Sequence, residues 1–268
     1  MVSIHCTAAI VLRQAYLIRG SLSRILPMFI WVTIDIVLWG FITRYLNTIT
    51  SSGFDFVRML LGAVLLWDFF TRVMQGVTIA FFEDVWSRNF LNIFATPLSL
   101  AEYLTGLVLT SFGTSLVGLV GMLVLAAVLF GLSVFMYGAL LVPFLLVLFM
   151  VGIAFGILGS ALVLRLGPSA EWFIWPVPFA MAPFVGVFYP LSTLPTWMQY
   201  IGHLLPPSYV FEEMRAIISG NEASAAQLTL GGILAVLYIL LACWYFATIY
   251  RHAVRTGLIA RYSAENVG

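Results

Sequence analysis

From Tyr103 to Leu164 the chain carries no charged side chain. Soluble domains are about one-quarter charged residues, so a stretch of this length has no place in one. A membrane crossing needs about 20 apolar residues, so the stretch holds two crossings, and Gly131-Leu132-Ser133 marks the turn between them. The whole chain agrees: 62% hydrophobic, 9% charged, with a mean hydropathy of +1.07. The 268 residues read as a single polytopic, all-α integral membrane domain. A net charge of +1 speaks against an acidic partner and against nucleic acid.

Six crossings are expected, at Ile25–Leu46, Val57–Phe81, Tyr103–Leu129, Gly138–Leu164, Trp172–Phe188 and Leu228–Tyr250. The first apolar run is too long for the core of a cleaved leader and is read as a retained span. An even number of crossings puts both termini on one side. That side would hold Arg13, Arg19, Arg24, Arg88, Arg165, Arg251, Arg255 and Arg261, against Arg44, Arg58 and Arg215 on the other. The excess of arginine belongs in the cytoplasm, so both termini and the tail 251–268 are expected there. In residues 1–24, Ile4, Ala8, Val11, Leu12 and Ala15 recur at helical spacing. They suggest an amphipathic helix in the inner interface or, more plainly, a positive-inside anchor.

The fifth apolar stretch is crowded with prolines, at 176, 178, 183, 190, 195, 206 and 207. Proline removes a backbone donor and kinks a helix. The expectation is a kinked span ending near Phe188, then two short helices within 189–220. Pro195–His203 carries Trp197 and Tyr200, suited to an interface, and Ser208–Ile218 carries Glu212, Glu213 and Arg215 into water.

Between the second and third spans lies a polar island, 82–102, with the core EDVWSRNFLNIFATPLSLAE. Helical spacing over Asp84–Phe94 puts Trp86, Phe90, Ile93 and Phe94 on one face and Arg88, Asn89 and Asn92 on others. Glu83 and Asp84 would open this helix, where a carboxylate suits the dipole, and Asp84 could pair weakly with Arg88. Pro97 stops it, and Ser99-Leu100-Ala101-Glu102 is a capping box that starts the next span. A stiff element of this kind can pass on a push from a soluble partner. It can equally be an ordinary loop folded back on the membrane.

The chain has no lysine, so it cannot carry the P-loop nucleotide motif, and any ATP coupling must come from another subunit. His5, His203 and His252 are far apart, no catalytic motif occurs, and Cys6 and Cys243 belong at different depths. No catalytic, cofactor or metal residue is expected. Three charges fall inside spans: Asp35, Asp68 and Arg72. Asp68 and Arg72 can pair at i,i+4, whereas Asp35 has no local partner and could reach Arg72 across a helix interface or face a wet cavity. They line a transport path or fix helix packing. Gly152, Gly156 and Ser160 form a small-residue row that favours close packing within the chain over a subunit interface.

Two stretches carry a resemblance. WSRNFLNIFATPLSLAEYL resembles the loop between spans two and three of type-2 ATP-binding-cassette exporter permeases. GVFYPLSTLPTWMQYIGHLLPPSYVFEEMRAI resembles their segment between spans five and six. The resemblance implies a permease that pairs with a second copy and docks on a dimer of cytoplasmic ATPase subunits. ATP and magnesium would sit on those partners. It implies a bacterial inner membrane, with surrounding lipid as a further partner; the charge-free, aromatic-rich fifth stretch, with Trp172, Phe173 and Trp175, itself suits an amphiphilic or hydrophobic cargo such as a drug, a lipid or a lipid-linked glycan. Asp84–Phe94 would be the coupling helix, with Glu83, Asp84, Trp86, Arg88, Phe90, Asn92 and Phe94 toward the ATPase. The helices around Pro195–Ile218 would form an outer cap. The competing classes are a secondary transporter, which would show paired broken helices, and a structural subunit of a membrane complex.

Overall fold

The computed structural model describes residues 3–49, 57–87, 89, 92–93 and 95–257. Among the described residues the secondary structure is helical, with no β-strand. The helices are α1 (Ile4–Arg19), α2 (Leu22–Ile49), α3 (Gly62–Trp86), α4 (Leu100–Phe130), α5 (Leu141–Leu166), α6 (Glu171–Ile174), α7 (Val177–Val185), α8 (Thr196–Leu204), α9 (Pro206–Ile218) and α10 (Ala225–Thr256). In hydrocarbon every backbone polar group must be satisfied within the segment, which is why long apolar runs resolve as helices. Four stretches are long and apolar enough to cross a membrane: Arg24–Ile49, Leu100–Phe130, Tyr137–Leu166 and Ala225–Thr256. The protein is an all-α, multi-pass integral membrane protein.

Helix α3 is the hub. Its 25 residues rise about 37 Å, enough to cross, although Asp68 and Arg72 dilute its apolar character. Phe69, Phe70, Val73, Met74, Val77 and Phe81 are buried between α4 and α5. The small residues of α5 allow this approach: a Cβ on Gly152 would lie 2.7 Å from Val73, and one on Gly156 2.8 Å from Val77. Thr78 Oγ1 also donates to the Gly156 carbonyl at 3.1 Å. The small-residue row therefore packs within the chain. Helix α10 covers the outer side of α5, with Phe246 edge-on to Phe81 and Tyr238 beside Phe155.

The stretch expected as a kinked fifth span is broken. Helices α6 and α7 are separated by a turn at Trp175-Pro176, and α7 has only nine residues. At 1.5 Å per residue α7 reaches about 13 Å, well under the roughly 30 Å hydrocarbon core. Gly186 ends α7 in the left-handed region (φ 68°), where a side chain would also strike the Tyr189 carbonyl. The two short helices that follow, α8 and α9, begin within two residues of the positions expected from the prolines.

Helix α1 is amphipathic, but the face it turns to the protein is not its apolar stripe. Thr7, Ile10 and Gln14 are buried, with Ile10 against Gly106 of α4. Ile4, Ala8, Leu12 and Ala15 point outward.

Candidate functional site

The loop end of α3 differs from the expected coupling helix. Glu83, Asp84 and Trp86 lie in the last turn of α3, not in the first turn of a new helix, and Ser87 closes it through its N–H to the Glu83 carbonyl at 2.8 Å. The next helical turn is marked by the Ile93 N–H donating to Asn89 at 3.0 Å. Arg88, Phe90 and Phe94 lie outside the described residues. A helix that runs through a span absorbs a short polar extension at its end, so periodicity alone could not place the boundary.

This changes the role of Asp84. A carboxylate at a helix C-terminus opposes the dipole and must be compensated. Asp84 is 1% exposed, and both its oxygens accept from the Arg13 guanidinium of α1, one at 2.9 Å. The Tyr103 hydroxyl of α4 donates to it at 2.7 Å. The hydrogen bond to Asp84 also raises the pKa of Arg13 above its ordinary value. Asp84 thus ties α1, α3 and α4 together and offers nothing to an external partner. Arg24 at the start of α2 pairs with Glu83 at 3.0 Å. Burial pushes the Glu83 carboxyl up, and Arg24 pulls it back. Of the expected coupling residues that are described, Trp86 is 66% exposed, Glu83 is half-exposed and Asn92 is exposed.

Glu102 completes the framework. The Ser99–Glu102 capping box is formed, with Ser99 N–H on Oε2 at 2.8 Å and Glu102 N–H on Ser99 Oγ at 3.3 Å. Its other oxygen, Oε1, accepts from the N–H of Ser3, which precedes α1, at 2.6 Å. One carboxylate therefore serves the starts of two helices. The sequence shows the box but gives no sign of the second contact, which spans 99 residues.

Within the bundle, Arg72 Nε donates to Asp68 Oδ2 at 2.9 Å, as the i,i+4 spacing suggests. Asp35 is half-buried near the middle of α2, within electrostatic reach of both. An ionised carboxylate at that depth costs at least about 2.5 kcal/mol on insertion scales. The charges are part of a larger feature: Asp68, Thr71, Arg72 and Gln75 recur at helical spacing and form a partly buried polar stripe on the flank of α3. Thr71 and Gln75 were not singled out from the sequence, although their i+3 and i+7 spacing from Asp68 carries the signal.

At the far end, Trp197 and Tyr200 on α8 are exposed as expected. Glu213 and Arg215 on α9 are not in water; each is 7% exposed. Arg215 donates to the Gly186 carbonyl at 2.7 Å and to Glu212 at 2.7 Å, capping the end of α7. Glu212 is partly exposed and accepts from the Leu191 N–H at 2.8 Å, and Glu213 accepts from Ser224 N–H at the start of α10 at 2.6 Å. Broken backbone with orphaned donors and acceptors draws these charges inward, a demand the residue pattern does not display. Among the described residues, no cluster of three His, Cys, Asp or Glu could hold a metal ion.

Among the described residues the architecture is a helical membrane bundle with a polar stripe along the flank of α3. Residues 19–219 match the model of the ABC-2 type transporter family, and the chain belongs to that family. It is thus the permease component of an ABC transporter. The match covers α2 to α9 and leaves α10 outside. No curated protein gives a significant match to the chain.

Proposed function

We propose that the chain is the transmembrane subunit of an exporter powered by a separate pair of cytoplasmic ATPase subunits, moving an amphiphilic or hydrophobic substrate across or out of a bacterial inner membrane. Membership of the ABC-2 family carries this reading. The missing lysines support it, because a chain without a P-loop lysine must receive its ATP-derived work from outside. The working unit is a dimer of permeases with both termini and the loop 82–102 in the cytoplasm. ATP and magnesium belong to the partner. Helix α1, with Ile4, Ala8, Leu12 and Ala15 outward, lies on the inner leaflet.

The ATPase engages the surface formed by Glu83, Trp86 and Asn92, to which the sequence adds Arg88, Phe90 and Phe94. Closing of the ATPases pushes on this surface. Because α3 runs unbroken from Gly62 to Trp86, the push reaches the Asp68–Gln75 stripe along a single rod. The cargo must bind the two states of the bundle with different affinity for this to perform transport.

The test is co-purification of the tagged permease from its own cells, with the ATPase identified by mass spectrometry and its ratio to permease measured. The reading expects a P-loop ATPase in equal number and transport that stops without ATP. Transport driven by an ion gradient in its absence would overturn it.

A further inference from the structure

Asp35 makes no hydrogen bond or ion pair among the described residues. On the neighbouring helix, the Asp68 carboxylate and the Arg72 guanidinium are already joined. With Asp35 and Asp68 ionised and Arg72 charged, the flank shared by α2 and α3 carries an unmatched negative charge in a medium of low dielectric. An anionic cargo is repelled there, because Arg72 is already engaged by Asp68.

Three other observations lie around this charge. One turn along α2, Trp39 stacks on Phe188 with ring centroids 4.8 Å apart and planes at 14°, and both rings are half-exposed. The face of an aromatic ring attracts a cation. On α4, the hydroxyl of Ser115 is buried with no hydrogen-bond partner. Ser115 shares a stripe with Ser111, which donates to the Val73 carbonyl at 2.9 Å, and with Gly118, which abuts the Arg72 side chain, so it faces the same turn of α3. The third is apolar: Trp31 and Leu38 flank Asp35 on α2, one turn to either side, and both are exposed.

We infer that this flank binds the cationic head of an amphiphile. Asp35 supplies the opposite charge, the Trp39–Phe188 stack supplies an aromatic wall, and Trp31 and Leu38 bed the apolar part. The inference rests on the transporter reading in treating this flank as a cargo site, and it narrows the cargo to lipophilic cations.

The test uses the purified full-length permease and radiolabelled tetraphenylphosphonium, with uncharged triphenylphosphine oxide for comparison. Saturable binding of the cation is expected, weakened about tenfold or more by Asp35→Asn and by Trp39→Ala and retained in Asp35→Glu, with the uncharged compound indifferent to Asp35→Asn. The melting temperature of each variant is measured alongside, so that loss of binding is scored only in folded protein. Absence of saturable binding to the wild type, or equal affinity in Asp35→Asn, overturns the inference. Binding is read without ATP or ATPase, so failure here leaves the exporter reading standing, and failure of ATPase co-purification leaves this result untouched.

Discussion

Arg13 and Asp84, 71 residues apart in sequence, meet through two hydrogen bonds that fasten the N-terminal helix to the loop end of α3. Removing one partner leaves the other charge desolvated. Asp84→Ala should lower the stability of the purified protein by about 3 kcal/mol and Arg13→Ala by somewhat less, since Arg13 is partly exposed. Tyr103→Phe, which removes one donor to the same carboxylate, should cost about 1–2 kcal/mol. A double-mutant cycle in detergent melts checks the pairing: additive losses from Arg13→Ala and Asp84→Ala would show that the two do not act together.

Glu102→Gln tests the shared cap. An amide has one acceptor oxygen where the carboxylate has two, and no charge, so one of the N–H groups of Ser3 and Ser99 loses its partner and the other keeps only a weaker, neutral bond. Faster hydrogen exchange is expected at the first turns of both α1 and α4. Faster exchange at α4 alone would contradict the contact to Ser3.

Trp86→Ala separates partner contact from folding. The indole is largely exposed and its packing partner in the fold is the ring of Phe82, edge-on at 5.3 Å. Its loss should leave the melting temperature within a few degrees of wild type and yet reduce ATPase recovered with the permease by about tenfold, as truncation of a central aromatic contact does. Undiminished recovery, or a large drop in melting temperature, would remove Trp86 from the proposed surface.

Gly152→Ala tests the packing of the hub. The added Cβ would lie 2.7 Å from Val73 and 3.1 Å from the Phe70 carbonyl, so α3 and α5 must separate. The expected cost is about 1–3 kcal/mol. Gly113 has open space around it and the same substitution there should be nearly silent, which a melting series on the two variants resolves.

Much of the architecture is legible in the residue pattern because the bilayer leaves so few options. Charge-free runs become crossings, Ser99 and Glu102 announce the start of α4, and the prolines announce that the segment after Pro168 cannot be one straight helix. The roles of the charged residues are not legible in the same way. Asp84 reads as a surface acid because its neighbours in sequence are polar, and only the return of α1 from 71 residues away buries it. Glu213 and Arg215 read as water-facing for the same reason, and the broken backbone at Gly186 and the start of α10 draw them inside. The stripe from Asp68 to Gln75 lies between these cases. Its period is present in the sequence, but it emerges only when the uncharged Thr71 and Gln75 are read together with the charges.

The anchorage of α1 also sets an order of events during synthesis. Its partners Asp84, Glu102 and Gly106 all leave the ribosome after α2 and most of α3 have been made. Until then the sixteen-residue α1 has neither its cap nor its counter-ion. Docking of α1 onto α4, and with it the closure of that end of the bundle, must wait until α4 has begun to form.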